Sequence, residues 1–164
     1  RFYFVHPDGA VQHYDKKHLF TFGGEHKRFT AGTERVVVNF RGVRILLEVC
    51  YDLRFPVWSR NLGDYDMILY VASWPTPRVD AWSALLRARA IENQCYVAGV
   101  NRMGVDPACE YSGGSAIIDP YGKTIAECPW GRESAVSADI DMEALQTFRK
   151  KFPVLDDADP FTLI

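Results

Sequence analysis

Residues 43–50 read VRILLEVC, an almost unbroken apolar run that ends in a cysteine. Residues 66–72 read DMILYVA and form a second run of the same kind. Short apolar runs without polar alternation are typical of strands that are covered on both faces. A helical pattern at residues 80–93 follows the second run, and a further strand pattern at residues 95–100 follows the helix. This order predicts strand–helix–strand crossovers and therefore an α/β fold.

Hairpins are predicted on either side of this centre, because glycine-containing turns separate short strand patterns. The paired strands are residues 2–5 with 10–14, 35–40 with 43–49, and 115–118 with 124–127. Residues 135–140 are predicted as the last strand and residues 142–150 as the last helix, whereas residues 18–32 and 102–107 are predicted as loops. Asp80 is the predicted N-cap of the long helix. Hairpins together with crossovers indicate a mixed sheet.

The composition restricts the partners of the chain. Its 164 residues are 48% hydrophobic, which is enough for one domain with a real core. With 19 basic and 21 acidic side chains, the net charge of -2 gives no electrostatic reason to expect nucleic acid or an anionic membrane surface. No apolar run approaches the roughly 20 residues that cross a bilayer, and the first residues lack a signal-peptide pattern. We therefore expect a cytoplasmic protein without nucleic-acid or membrane partners.

The cysteine and histidine positions do not indicate a metal site. Cys50, Cys95, Cys109 and Cys128 are widely separated, and all four histidines lie within the first 26 residues. Neither a C-x-x-C pair nor an H-E-x-x-H motif is present. We therefore expect no metal and no other cofactor.

Cys50 has two interpretations from the residues alone. It stands between an apolar strand and residues 55–62, a predicted short helix that accommodates Pro56 in its first turn. A cysteine on a strand-to-helix turn gains thiolate stabilisation from the helix N-terminus and backbone N–H groups for an oxyanion. Alternatively, Cys50 is a buried core residue, and strand alternation places the carboxylate of Glu48 on its face, which would raise the thiol pKa. Spacing leaves both interpretations open.

Three motifs around Cys50 resemble those of a known enzyme family. Residues 49–56, VCYDLRFP, are similar to the cysteine motif of the nitrilase superfamily of carbon–nitrogen hydrolases. Residues 14–20, YDKKHLF, resemble its lysine motif, and residues 87–94, RARAIENQ, resemble the helix that follows the nucleophile. The similarity continues through residues 114–115 and 119–122 to the tail, so it covers the whole chain. It implies an αββα sandwich with four layers in each subunit.

The resemblance also implies roles for individual residues. Cys50 is the nucleophile that attacks an amide carbonyl, and Lys16, two residues before His18, stabilises the tetrahedral oxyanion. The backbone N–H of Tyr51 is the second oxyanion donor. Glu25 matches an additional glutamate that hydrogen-bonds within the pocket and orients the leaving group or water. Ammonia leaves, and water resolves the thioester.

One part of the family's machinery has no counterpart in residues 1–14. The proton-transferring glutamate of the family precedes the lysine motif, but residues 1–14 contain no glutamate, and Asp8 in its hairpin turn is a poor substitute. We therefore expect residues 1–164 to be a single domain that forms the C-terminal portion of a longer carbon–nitrogen hydrolase domain, incomplete at its N-terminus. Alone, it is expected to have very low activity.

Other polar and aromatic residues have a structural and a functional interpretation. Arg54, Arg87, Arg89 and Glu92 are predicted to form buried ion pairs, and Asp52 is predicted to support the turn beside the nucleophile. Trp74 either forms a wall of the substrate pocket or belongs to the core. Arg78 either binds a substrate carboxylate or is a solvated surface side chain.

The substrate class follows from finer similarity. Residues 71–75, 99–102, and 151–153 with 157–159 resemble the bacterial ω-amidase branch, which deaminates small amides such as 2-oxoglutaramate and 2-oxosuccinamate. Ala81 departs from this branch, where relatives often have histidine. Alternatives are another aliphatic amidase, an N-carbamoyl amidohydrolase, or an impaired fragment that serves as a binding or scaffold module. Because two subunits of the family usually join their sandwiches, a homodimer or higher homo-oligomer is expected.

Overall fold

A six-stranded mixed sheet forms the centre of the computed structural model, which describes residues 1–162. The strands in this part of the chain are β1 (Phe2–Val5), β2 (Val11–Tyr14), β3 (Val37–Phe40), β4 (Val43–Val49), β5 (Met67–Ala72), β6 (Tyr96–Asn101), β7 (Met103–Val105), β8 (Glu110–Ser112), β9 (Ala116–Ile118) and β10 (Thr124–Glu127). The helices are α1 (Pro56–Ser59), α2 (Val79–Glu92) and α3 (Met142–Lys151). The sheet has the order β10-β9-β6-β5-β4-β3, while β1–β2 and β7–β8 are separate two-stranded sheets.

The centre of the sheet is parallel and its margins are antiparallel. Strand β5 pairs in parallel with β4 and β6, whereas β3, β9 and β10 join by antiparallel pairing. Parallel pairing requires a crossover after β4 and after β5, and these crossovers contain α1 and α2. The carboxyl ends of β4, β5 and β6 therefore meet at one edge. The predicted α/β class with a mixed sheet is confirmed.

Helix α2 covers one face of the sheet. Trp82 and Leu86 are almost completely buried there and pack with Leu46, Ile68 and other apolar residues of the strands. The approach is close at Gly99 in β6, where an added Cβ would lie 2.6 Å from Leu86 Cδ1 and 2.7 Å from Trp82 Cζ2. A side chain at this position would push the helix away from the sheet.

The opposite face is covered by the β1–β2 hairpin and by α3. Tyr14 of β2, Trp58 of α1 and Leu145 of α3 are buried against Val38 and Leu47 of the sheet. Asp141 caps α3 because its side chain accepts a hydrogen bond from the Ala144 N–H at 2.8 Å. The β1–β2 hairpin therefore forms a small, separate sheet on this face of the six-stranded sheet.

Two predicted elements are wrong. Residues 135–140 form no strand; they are largely exposed, and no neighbouring strand in the described residues offers them a partner. Residues 102–107 are not simply a loop, because β7 pairs with β8 in a hairpin. In residues 135–140, an alternating apolar pattern predicted a strand that does not form. In residues 102–107, strand β7 has only three residues, which is too short for a recognisable pattern.

Smaller differences concern helix ends. Asp80 is not the N-cap: a 3-10 turn at Thr76–Arg78 leads directly into α2, so Arg78 takes the cap position and Asp80 lies in the first turn. The predicted helix at residues 55–62 is limited to the single turn of α1. The predicted loop at residues 18–32 contains 3-10 turns at Thr21–Gly23 and Glu25–Lys27.

Residues 152–162 lie at the surface, where most of them are exposed; residues 163 and 164 lie outside the described part of the chain. None of the helices within residues 1–162 has the length and apolar character that a membrane crossing requires.

Candidate active site

Cys50 occupies a sharp turn at the carboxyl end of β4. Its φ angle of 49° lies in the left-handed region, which costs a non-glycine residue about 1–3 kcal/mol. The strand ends there, and a 3-10 turn at Cys50–Arg54 leads into α1. The predicted strand-to-helix turn is therefore confirmed. Strain of this size is maintained only where surrounding contacts impose it, as they do at functional sites.

Glu48 does not follow the expected arrangement beside the sulfur. Its buried carboxylate accepts a hydrogen bond from Ser59 Oγ at 2.9 Å, and Tyr70 Oη lies 3.1 Å from the same hydroxyl. Burial, together with the negative charge of Asp52, raises the pKa of Glu48 to about 8. Because the left-handed turn ends the strand at Cys50, strand alternation no longer determines where the thiol lies.

The Cys50 thiol lies partly buried beside opposing charges. Burial raises its pKa, the ammonium of Lys16 lowers it, and the carboxylates of Glu25 and Asp52 raise it further. The sulfur lies 3.9 Å from the carbonyl oxygen of Ser73, which follows β5. Since burial dominates, the thiol form prevails at neutral pH, and a proton acceptor is needed to form the thiolate.

Lys16 and Glu25 form an ion pair next to this thiol. The Lys16 ammonium donates to Glu25 Oε1 at 2.9 Å and to Oε2 at 2.7 Å. The backbone N–H of Phe20 also donates to Glu25 Oε2, at 2.8 Å. The 3-10 turn that begins at Glu25 thus turns this carboxylate back towards Lys16. Lys16 and Glu25, nine positions apart in sequence, therefore lie side by side next to Cys50.

A cavity of about 1080 Å³ opens in front of these three residues. All six residues predicted for the site line it: Lys16, Glu25, Cys50, Tyr51, Trp74 and Arg78. Their common location agrees with the predicted roles, which themselves stay predictions.

Trp74 is both a wall of the cavity and part of the core. It is only 3% exposed and packs on Trp82, with ring centroids 5.5 Å apart. Its backbone N–H donates to Asn101 Oδ1 at 2.7 Å, and its Nε1 donates to the carbonyl oxygen of Arg78 at 2.7 Å. The two interpretations of Trp74 are therefore compatible.

The predicted ion pairs are correct for one pair only. Arg89 contacts Glu92 at 2.8 Å and also donates to the carbonyl oxygen of Leu53, which ties α2 to the turn after Cys50. Arg87 is exposed and reaches only Thr124 Oγ1, at 3.5 Å. Arg54 is exposed, and its guanidinium lies 4.9 Å from the Trp74 ring centroid in the cavity. Among residues 1–162, neither Arg54 nor Arg87 forms an ion pair.

The β7–β8 hairpin adds Cys109 and Tyr111 to the cavity lining, and sequence reasoning missed both. The Tyr111 hydroxyl donates to Asp106 Oδ2 at 2.8 Å, and the Arg102 guanidinium lies 4.4 Å from the Tyr111 ring centroid. Pairing of the two short strands, rather than any motif, brings these residues to the site. Arg54 was missed as a lining residue, although its position four residues after Cys50 on a tight turn was a usable signal.

A thiol, an ammonium and a carboxylate that converge in one cavity are the components of a thiol-dependent hydrolase. The comparison with protein families agrees with this class, because the carbon-nitrogen hydrolase model matches residues 2–150. The chain belongs to the carbon-nitrogen hydrolase family.

Individual relatives extend this result. The chain is 55% identical over 164 residues to omega-amidase YafV of Escherichia coli strain K12, with 99% of this chain and 64% of that protein covered. It is 43% identical over 150 residues to a 2-oxoglutaramate amidase of Bacillus subtilis strain 168, with coverages of 90% and 57%. The chain therefore spans less than two thirds of these relatives.

A solved structure agrees with the fold. XC1258 from Xanthomonas campestris is a CN-hydrolase superfamily protein with an arsenic adduct in the active site. It superimposes with a TM-score of 0.95 at 48% identity, over 99% of this chain and 64% of that one.

Proposed function

We propose that the protein hydrolyses the ω-amide of a small 2-oxo dicarboxylate monoamide, such as 2-oxoglutaramate, to the carboxylate and ammonia. Family membership supports amide hydrolysis, and the names of the relatives from Escherichia coli and Bacillus subtilis support this substrate class. The observation that carries the choice of substrate is the charge of the cavity.

Two positively charged side chains in the cavity have no acidic partner within residues 1–162. Six charged side chains line it, and four of them form the pairs Lys16–Glu25 and Arg1–Asp15. Arg54 and Arg78 remain; within residues 1–162 both are held by aromatic rings rather than carboxylates, Arg54 over Trp74 and Arg78 over Phe20 at 5.6 Å. Two arginines in one cavity favour an anionic amide over a neutral aliphatic one.

In the proposed reaction, the thiolate of Cys50 attacks the amide carbon. The ammonium of Lys16 and the backbone N–H of Tyr51 stabilise the oxyanion. A general base takes the thiol proton and returns it to the nitrogen as the carbon–nitrogen bond breaks, so that ammonia leaves. Water then attacks the thioester, and the same base moves a water proton to the sulfur as the carbon–sulfur bond breaks. Glu25 holds Lys16 in place and orients the leaving group or water.

The general base is proposed to lie outside residues 1–164. Glu25 is already bound by Lys16, and Asp52 is completely buried with its oxygens occupied by protein donors. Neither is therefore free to take the thiol proton. We accordingly propose that residues 1–164 are the C-terminal portion of one carbon–nitrogen hydrolase domain.

The test is ammonia release from 2-oxoglutaramate by the protein as encoded, compared with its Cys50→Ala variant. Wild type is expected to release ammonia and Cys50→Ala to lose the activity. Equal rates in the two proteins would refute the proposal. A panel containing propionamide and an N-carbamoyl amino acid identifies the alternative hydrolase classes, since a preference for either would replace the proposed substrate.

The arginines provide a second test of substrate class. Arg54→Met and Arg78→Met each remove a charged hydrogen-bond donor worth roughly 1.5–3 kcal/mol, so KM for 2-oxoglutaramate is expected to rise about 10- to 100-fold. Turnover of propionamide is expected to change little, because it has no carboxylate. An equal loss on both substrates would contradict a carboxylate-binding role.

We further propose a homodimer or higher homo-oligomer in the cytoplasm. Exposed apolar side chains on the β1–β2 hairpin support this proposal, because contact with another subunit would remove them from water. Tyr3, Val5 and Val11 are 58%, 63% and 55% exposed. Light scattering that shows only monomers of the encoded protein at micromolar concentration would contradict the oligomer.

A further inference from the structure

Asp52 is the most heavily bonded carboxylate next to the site. It is completely buried and accepts four hydrogen bonds from three residues. Its Oδ2 accepts from Tyr14 Oη at 2.9 Å and from the Val49 N–H at 3.1 Å. Its Oδ1 accepts from the His18 N–H at 2.9 Å and lies 2.9 Å from His18 Nδ1. Two carboxylate oxygens offer about four lone-pair sites, so none is left for a substrate or a thiol proton.

These donors come from the two segments that carry the reacting groups. Tyr14 and His18 stand on either side of Lys16, each two residues away in sequence. Val49 immediately precedes Cys50. The carboxylate of Asp52 therefore connects residues 14–18, the lysine segment, to the turn at Cys50–Arg54, the nucleophile turn.

Packing reinforces this connection. The His18 ring stacks on Phe55, with centroids 3.7 Å apart and planes within 5°. The Tyr14 hydroxyl accepts hydrogen bonds from Trp58 Nε1 at 3.0 Å and from the Lys17 N–H at 3.1 Å. Both aromatic partners belong to the segment that follows Cys50, so the lysine segment is built directly on the nucleophile turn.

We propose that Asp52 is a positioning residue that sets the spacing between the Lys16 ammonium and the Cys50 thiol. The proposal rests on the proposed function only for the roles of Lys16 and Cys50, and it is independent of the substrate. The alternative is that Asp52 acts on the site only as a nearby negative charge, or only on the stability of the fold.

These possibilities predict different shifts of one quantity, the pKa of the Cys50 thiol: a rise for positioning, a fall for charge alone and no change for stability alone. The charge of Asp52 raises the pKa of Cys50, and the charge of Lys16 lowers it. If Asp52 were only a charge, Asp52→Asn would lower the pKa of the thiol. If Asp52 positions Lys16, the same substitution also moves the ammonium away from the sulfur. Because Lys16 affects the thiol more strongly than Asp52 does, the net effect is a raised pKa. Asparagine has nearly the same shape as aspartate, but its NH₂ group cannot accept a hydrogen bond. Two of the donors that Asp52 binds therefore lose their acceptor, and the residues that carry them are no longer held in place.

Asp66 offers a matched control. It is a second buried aspartate, and it accepts from Arg44 Nη2 and from Arg149 Nη1, both at 2.8 Å. It precedes β5, at the end of the strand opposite to Ser73 and the cavity. Asp66→Asn is therefore expected to lower stability without changing Cys50.

The experiment measures the pH dependence of iodoacetamide labelling of the Cys50 peptide by mass spectrometry, in the encoded protein and both variants. Asp52→Asn is expected to raise the midpoint by about one pH unit, comparable to the effect of one nearby charge. It is also expected to lower kcat about 10- to 100-fold, with KM changed less than about twofold. A midpoint that is unchanged or lowered would overturn the proposal, as would an equal rise in Asp66→Asn.

His18→Phe keeps the test decisive if Asp52→Asn does not fold. Phenylalanine preserves the stack on Phe55 and the backbone donor, and it removes only the ring hydrogen bond to Asp52 while leaving its charge in place. A smaller upward shift of the labelling midpoint is expected, and no shift would overturn the proposal. Because labelling needs no amide, absence of ammonia release from 2-oxoglutaramate would count against the proposed substrate alone.

Discussion

The Lys16 ammonium bonds both carboxylate oxygens of Glu25, at 2.9 and 2.7 Å, beside a thiol whose pKa burial has raised. The Lys16 side chain is 11% exposed and that of Glu25 is 31% exposed, so the pair is only partly hydrated. Removing either partner leaves the other charge without compensation in the cavity. Substitution of Lys16 and substitution of Glu25 are therefore expected to shift the pKa of Cys50 in opposite directions.

Lys16→Met removes the charge that opposes the raised pKa of Cys50. The alkylation midpoint of Cys50 is expected to rise, and kcat for amide hydrolysis is expected to fall about 100- to 1000-fold, as after loss of one oxyanion donor. Lys17→Met is the matched control, because the Lys17 ammonium lies 5.1 Å from the Trp58 ring centroid and outside the cavity lining. Similar losses in the two variants would contradict the assignment of Lys16.

Glu25→Gln is expected to separate thiol reactivity from catalysis. Because the Glu25 carboxylate raises the pKa of Cys50, its removal lowers that pKa and speeds alkylation at neutral pH. Ammonia release is nevertheless expected to slow about 10- to 100-fold, since the amide still accepts a hydrogen bond from Lys16 but no longer orients the leaving group or water as the carboxylate does. Parallel alkylation and steady-state assays check this, and changes in the same direction would count against the proposed role.

Glu48→Gln is expected to change how stability depends on pH. The folded-state pKa of Glu48 is about 8, raised from an ordinary 4.5, so folded Glu48 retains a proton that the unfolded chain releases between these values. Its contribution to stability is present below about pH 4.5 and is lost as pH rises to about 8. Glutamine remains neutral, so urea unfolding across pH 5–9 should show a flatter profile for the variant. Identical slopes in the two proteins would show that Glu48 is ionised in the fold.

Gly99→Ala tests the close approach of α2 to the sheet. The new methyl group would meet Leu86 and Trp82 at 2.6 and 2.7 Å, and such overpacking costs about 1–3 kcal/mol of unfolding free energy. Val100→Ala is the control, because Val100 is the next residue of β6 and is 55% exposed. Its expected loss is below about 0.5 kcal/mol. Denaturant unfolding compares the two, and equal stabilities would show that the sheet and helix adjust freely.

Local patterns predicted most of the fold, and their failures have identifiable causes. The strands β4 and β5 were predicted correctly because each is a continuous apolar run. The turn at Arg41 and Gly42 was also predicted correctly, because glycine readily adopts the positive φ that this turn has. The strand predicted at residues 135–140 is wrong, because a strand needs a neighbouring strand to pair with and an alternating apolar pattern does not show whether one is present. Strands β7 and β8 were missed because three residues are too few to show a period.

For the site, the sequence identified the family and six of the residues that line the cavity, because their motifs are short and local. It could not reveal that Arg54 and Arg78 lie in the cavity with no acidic partner among residues 1–162, since pairing depends on which carboxylates come within reach. Nor could it show Asp52 bonded to Tyr14, His18 and Val49, contacts that span up to 38 positions. These relationships exist only once the hairpin, the lysine segment and the nucleophile turn pack together. Only the tertiary structure decides them, because hydrogen bonds and charge interactions act over a few ångströms in space rather than along the chain.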